Sequence, residues 1–155
     1  MPFTRKLRLA FLAASATLTL SPLAAGAFSG GAANSNWEVM LWTNPVTVSV
    51  DTASIAPHAE RFIARVLWDY AEPQITGVDA AAPFKSLVGI VVFDCTTLRF
   101  GGAGSIAYSG DGGDGDLVAQ YAIDPDQAPL STSEPGTIGR DLATYVCDHA
   151  PRSLR

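Results

Sequence analysis

The sequence predicts an α+β domain, a meandering antiparallel sheet of about six strands followed by one C-terminal helix. Three observations carry this. Segments that alternate with period two, VTVSVD at Val46–Asp51 and RFIARVLWDY at Arg61–Tyr70, are bounded by turn-forming residues. SLVGIVVFDC, Ser86–Cys95, is nearly all apolar, as expected of a central strand covered on both faces. The segment TIGRDLATYVCDH from Thr137 has the 3.6-residue period of an amphipathic helix.

The first residues set the compartment. MPFTRKLR is basic, LAFLAASATLTLSPLAA is apolar and small, and Ala25-Gly26-Ala27 offers the small-x-small site of a signal peptidase. Residues 1–27 therefore read as a cleaved secretory signal. A membrane-spanning helix is the weaker reading, since the apolar run is short of the roughly 20 residues a bilayer requires and Pro22 interrupts it. No cysteine stands at the cleavage site to take a lipid, so the expected product is periplasmic or secreted and is not inserted in a membrane. Residues 28–36, FSGGAANSN, form a flexible lead-in, residues 37–149 one domain, and residues 150–155 a tail.

Within the domain, WEVMLW (Trp37–Trp42) is a first strand and Asn44-Pro45 a turn into the second. DTASIAPHAE then turns the chain, with Pro57 barring a regular ladder. On the third strand Phe62, Ala64, Val66, Trp68 and Tyr70 share a face, while Ile63 and Leu67 make the other face partly apolar. EPQITGVDAAAP, Glu72–Pro83, is a long connection to the central strand, where Phe93 and Cys95 share a face and Asp94 takes the other. The fifth strand begins near Leu98; Gly101, Gly102 and Gly104 suggest a bulge or bend before SIAYS. DGGDGD makes a tip, and LVAQYAI, Leu117–Ile123, is the last strand. Thr137 is the expected N-cap of the helix. Ile138, Leu142, Tyr145 and Val146 form its apolar stripe, which Ala143 extends to Cys147.

Charge and motifs exclude several functions. The first 27 residues hold three of the 10 Lys and Arg and none of the 15 Asp and Glu, leaving the remainder at about −8. Its few basic residues are scattered, which disfavours nucleic acid and anionic lipid. No Ser-His-Asp pattern or close carboxylate pair stands out, so no enzyme is expected. Asp111, Asp114 and Asp116 invite a calcium reading, but their spacing fits neither the EF-hand nor the repeat that binds calcium, and a solvated hairpin tip is preferred. His58 and His149 each stand alone, too few for a metal or haem site, and no cofactor is expected. Asp94 is expected to pair with Arg99 or Arg65 across strands. The two cysteines, Cys95 and Cys147, favour a disulfide in an exported domain; free thiols, or a metal or catalytic role, are the alternatives.

The ordered set Trp37, Asp51 with Ser54-Ile55, Asp69-Tyr70 with Pro73-Gln74, Phe93-Asp94-Cys95, Arg99, Tyr108-Ser109, Pro135-Gly136-Thr137 and Val146-Cys147 resembles the surface-adhesin protein E family of bacterial exported proteins. The resemblance covers nearly all of the chain after residue 36. It implies a six-stranded antiparallel sheet with the C-terminal helix tied to it by a disulfide, which in this chain is Cys95–Cys147. It also implies a non-catalytic, adhesin-like protein whose partner is a host matrix or envelope protein. An exposed edge strand would allow two copies to pair as a homodimer. A periplasmic carrier of a metal or small ligand, using the acidic tip or a histidine, is the alternative.

Overall fold

The structure, a computed structural model, describes residues 36–43, 45–75 and 82–151. The expected signal peptide, residues 1–27, most of the lead-in and the end of the tail lie outside the described residues. The strands are β1 (Trp37–Trp42), β2 (Val46–His58), β3 (Arg61–Gln74), β4 (Phe84–Asp94), β5 (Arg99–Tyr108), β6 (Leu117–Ala122) and β7 (Ser131–Thr132), followed by helix α1 (Ile138–His149). β1 to β6 lie side by side in chain order, every pair antiparallel. The two-residue β7 joins β5 at Arg99 and Phe100, beyond the stretch that β6 pairs. The six-strand expectation holds, with β7 as a short addition.

Two strands are longer than their alternation predicts. β2 passes Asp51 through an irregular stretch and pairs again at Ala56↔Ile63, Pro57↔Phe62 and His58↔Arg61. Ser54 bridges the gap: its hydroxyl donates to Asp51 O at 2.7 Å and accepts from Arg65 N at 2.7 Å. Pro57 is accommodated because β1 pairs β2 only up to Asp51, which leaves the end of β2 an edge. β3 likewise continues past Tyr70 through an irregularity to Gln74, which takes in Glu72 and Pro73 that were expected in a connection. The glycines of β5 produce a bulge without interrupting the strand: Ile90↔Gly104 is followed by Val91↔Gly102, so Ala103 is the extra residue.

The sheet is covered on both faces. On one, α1 lays Leu142, Ala143 and Val146 over Val48, Val50, Phe62, Ala64, Val66, Val91 and Phe93. On the other, Val92 and Ala103 pack with Ala128, Ile63, Ile90, Ile123 and Leu130, so the chain after β6 covers this side. Thr137 caps α1 as expected, its side chain accepting from Arg140 N.

The apolar stripe missed one buried residue, Gly139. A Cβ there would lie 2.6 Å from Cε1 of Phe100, whose ring stacks on Phe93 at 6.4 Å between centroids. The helix accepts a poor helix former because its first turn rests on an aromatic ring. Gly139→Val is expected to cost about 1–3 kcal/mol of stability through overpacking, read as a lower urea midpoint at an unchanged m-value.

Cys95 and Cys147 are joined, with Cα atoms 5.4 Å apart across 52 residues of chain. The turn before β5 presents Cys95 to the helix. Asp94 accepts hydrogen bonds there from Thr97 Oγ1 (2.6 Å), Thr96 N (2.9 Å) and Thr97 N (3.2 Å). The Thr97 hydroxyl, aided by these amides, lowers the Asp94 pKa, with burial opposing. The expected ion pair of Asp94 with Arg99 or Arg65 is not formed. Arg65 is held by Asp51, and Arg99 donates to the Leu130 carbonyl. A turn carboxylate two residues from backbone amides is satisfied locally before a cross-strand cation can compete.

Candidate functional site

Five places gather polar chemistry or exposed apolar surface. The first is internal. Asp51 is fully buried and accepts from Asn36 N (2.9 Å) and Ala53 N (3.1 Å) through one oxygen and from the Arg65 guanidinium through the other. The guanidinium lies 5.8 Å from the centre of the Trp37 ring. The direct register Asp51↔Arg65 puts the two side chains opposite each other on β2 and β3. Every acceptor oxygen here is used by the fold, so this is a structural ion pair. It also gives Trp37, Asp51 and Ser54, three of the residues in the family-like pattern, one shared task.

The glycine-rich tip folds back onto the sheet. Gly112 N donates to Asp69 Oδ1 (2.6 Å) and Gly113 N to Ser86 Oγ (2.9 Å), while Ser86 Oγ donates to Gly110 O (2.6 Å). Gly113 is buried, and a Cβ on it would stand 2.9 Å from Val88 Cγ2 at a φ of +78°. The tip is therefore packed at its centre, while Asp111, Asp114 and Asp116 face solvent. Asp111 pairs with Lys85 at 3.0 Å, Asp114 accepts from Gly115 N at 2.7 Å, and Asp116 N donates to Ser109 Oγ at 2.9 Å. Asp111, Asp114 and Asp116 do not form a ligand group of three; among the described residues that is found elsewhere.

It is formed by His58, Asp124 and Asp126, whose ligand atoms all lie within 4.8 Å of one another. His58 ends β2, beside the two-residue turn into β3. Asp124 caps a single 3₁₀ turn, Pro125–Gln127, its Oδ1 accepting from Asp126 N at 3.0 Å. Ala128, buried on the second core, fixes that turn against the sheet. Asp126 Oδ1 then lies 3.1 Å from His58 Nε2. His58 stands alone in the sequence because Asp124 and Asp126 are far from it in the chain. Their proximity depends on the loop after β6 crossing the sheet, which no local pattern reports.

His149, the other histidine, belongs to a different cluster. Its ring stacks on Tyr145 at 4.0 Å, and Nδ1 lies 2.8 Å from Tyr145 O. The Tyr145 hydroxyl donates to Glu38 Oε2 at 2.6 Å, linking the end of α1 to edge strand β1. That hydrogen bond, with burial and the nearby carboxylate charge, pushes the Tyr145 pKa up to about 12. The phenol thus stays protonated at neutral pH and acts as a brace. At the opposite edge β6 exposes Leu117 and Tyr121, each at 56%.

The family model for surface-adhesin protein E matches residues 37–148. Nothing among curated protein sequences matches. Among solved structures the chain is similar to protein E of Haemophilus influenzae. In its selenomethionine form the TM-score is 0.55 at 14% identity, covering 74% of this chain and 88% of that one. A structure of protein E from non-typeable Haemophilus influenzae gives a TM-score of 0.52 at 12% identity, covering 75% and 79%. At such identities the likeness shows a shared fold.

Proposed function

Because the chain belongs to the surface-adhesin protein E family, we propose that it is an exported, non-catalytic envelope protein that binds another protein. The observation that carries this is the extent of the family match, which spans the sheet, the disulfide and the helix. The edge strand β6 supports it: Leu117 and Tyr121 are large apolar side chains held in solvent beside unpaired backbone, a surface that suits an extended partner segment. The strongly negative net charge directs the choice of partner toward a basic protein surface and away from nucleic acid. Residues 1–27 supply the export signal, and no helix among the described residues is long and apolar enough to cross a membrane.

The test is a plate assay of the purified, oxidised protein against immobilised extracellular-matrix proteins and, in parallel, envelope proteins. Saturable binding is expected to at least one of them. Leu117→Asp with Tyr121→Asp should weaken it about tenfold or more, as for loss of interface anchors. Absence of saturable binding across both panels overturns the reading. Binding that is indifferent to the β6 substitutions keeps the function and moves the surface elsewhere.

A further inference from the structure

We propose that His58, Asp124 and Asp126 form a binding site for a divalent transition-metal ion of the zinc type. The donor set is one imidazole nitrogen and two carboxylate oxygens. Imidazole favours zinc-like ions over calcium or magnesium, which take oxygen alone. Three protein donors would leave a tetrahedral ion one position for water or for a group on a partner.

Three features of the geometry support a metal over a plain histidine–aspartate ion pair. His58 Nε2 is shut off from solvent and has no hydrogen-bond partner, although Asp126 Oδ1 is 3.1 Å away. The nitrogen and the oxygen are thus adjacent without an N–H directed along the line between them. Two donors that converge on a common point stand in this way, and an unpartnered buried nitrogen is otherwise costly. Second, the Asp124 carboxylate is already oriented, since its Oδ1 accepts from Asp126 N; outer hydrogen bonds of this kind hold metal-binding carboxylates in place. Third, the separations are close to what an ion needs. Donors about 2.0–2.2 Å from zinc stand roughly 3.4 Å apart around a tetrahedron, and the donors here lie within 4.8 Å of one another. Asp126 is exposed, so rotation of its side chain can narrow the difference while Asp124 stays held. The ion would tie the β2–β3 hairpin to the loop after β6, two elements otherwise joined through apolar packing.

The experiment titrates Zn²⁺ into the chelator-treated protein by calorimetry at pH 7.5 and repeats the titration with Co²⁺, read by its visible absorption. One ion per chain is expected, with visible Co²⁺ bands of low coordination number. His58→Ala and Asp126→Asn should each weaken binding about tenfold or more and remove those bands. His149→Ala and Asp114→Asn should leave both unchanged. Far-UV circular dichroism verifies that each variant remains folded, as substitutions at the outside of the sheet allow. No saturable heat from the unsubstituted protein, or binding that survives His58→Ala, overturns the proposal. Either result leaves the protein-binding reading intact, because the plate assay involves neither histidine nor metal.

Discussion

Asp51→Ala is expected to lower the unfolding free energy by about 3–5 kcal/mol, the cost of removing one member of a buried ion pair. The carboxylate is fully buried, whereas 28% of the Arg65 side chain is exposed. The cost therefore has two parts. Arg65 keeps a charge that it can only partly rehydrate, and the part-buried amides of Asn36 and Ala53 lose their acceptor. Asp51→Asn separates the parts, since its carbonyl oxygen can still accept from one or both amides while the charge is lost. It should retain part of the stability, and Asp51→Ala should not. In a double-mutant cycle, Asp51→Ala with Arg65→Ala should cost less than the sum of the two single changes, because the stranded charge has gone. Urea unfolding at pH 7 with the disulfide intact measures all four proteins. A loss below about 1 kcal/mol for Asp51→Ala would assign the pair to the surface class and overturn its role as a buried structural ion pair.

How much of this was legible beforehand depends on the range of the interaction. The faces of β2 and β3 follow from Val46, Val48, Val50 and from Phe62, Ala64, Val66 and Trp68, because strand alternation is local and both faces are apolar enough to signal it. The helix, its Thr137 cap and its Leu142–Val146 stripe are legible for the same reason. Gly139 left a faint signal: a glycine in a helical first turn against propensity asks for a close neighbour, but nothing local names Phe100. The extension of β2 was hidden because Ser54 and the Asp51 side chain, not a regular ladder, carry the chain across the irregular stretch. The sequence points to Asp94 as the partner of a cross-strand arginine, whereas Asp51 makes that pair. Asp94 lies at a turn, where nearby amides win, and Asp51 lies opposite Arg65 only once the register is known. The candidate metal site was beyond reach for a further reason. His58 and the two aspartates meet through a loop that crosses the sheet, and that crossing is set by burial of Ala128 and Leu130 on Val92 and Ala103.

Replacing both cysteines, Cys95→Ala with Cys147→Ala, is expected to remove about 4 kcal/mol, the loop-closure entropy of a cross-link spanning about 50 residues. The effect should not be uniform over the molecule. A helix of 12 residues is marginal in isolation, and α1 buries only Leu142 and Val146 as large side chains, with Gly139 and Ala143 beside them. Full burial of each large side chain contributes about 1.5–3 kcal/mol. The strands β2 to β4, by contrast, are paired on both sides over much of their length and buried on both faces. Without the cross-link the last turns of α1 keep the Tyr145–Glu38 hydrogen bond and their apolar contacts, but nothing covalent near Cys147. The helix is then expected to open as a unit at a lower free energy than the sheet, a local transition of the kind hydrogen exchange resolves. In the double variant the amides of Leu142–Cys147 should exchange by this partial opening, while those of Val66 and Val91 exchange only with global unfolding. In the oxidised protein the two groups should lie closer together. If the helix amides of the variant stay as protected as those of β3 and β4, packing alone holds α1, and the disulfide acts entirely on the unfolded chain.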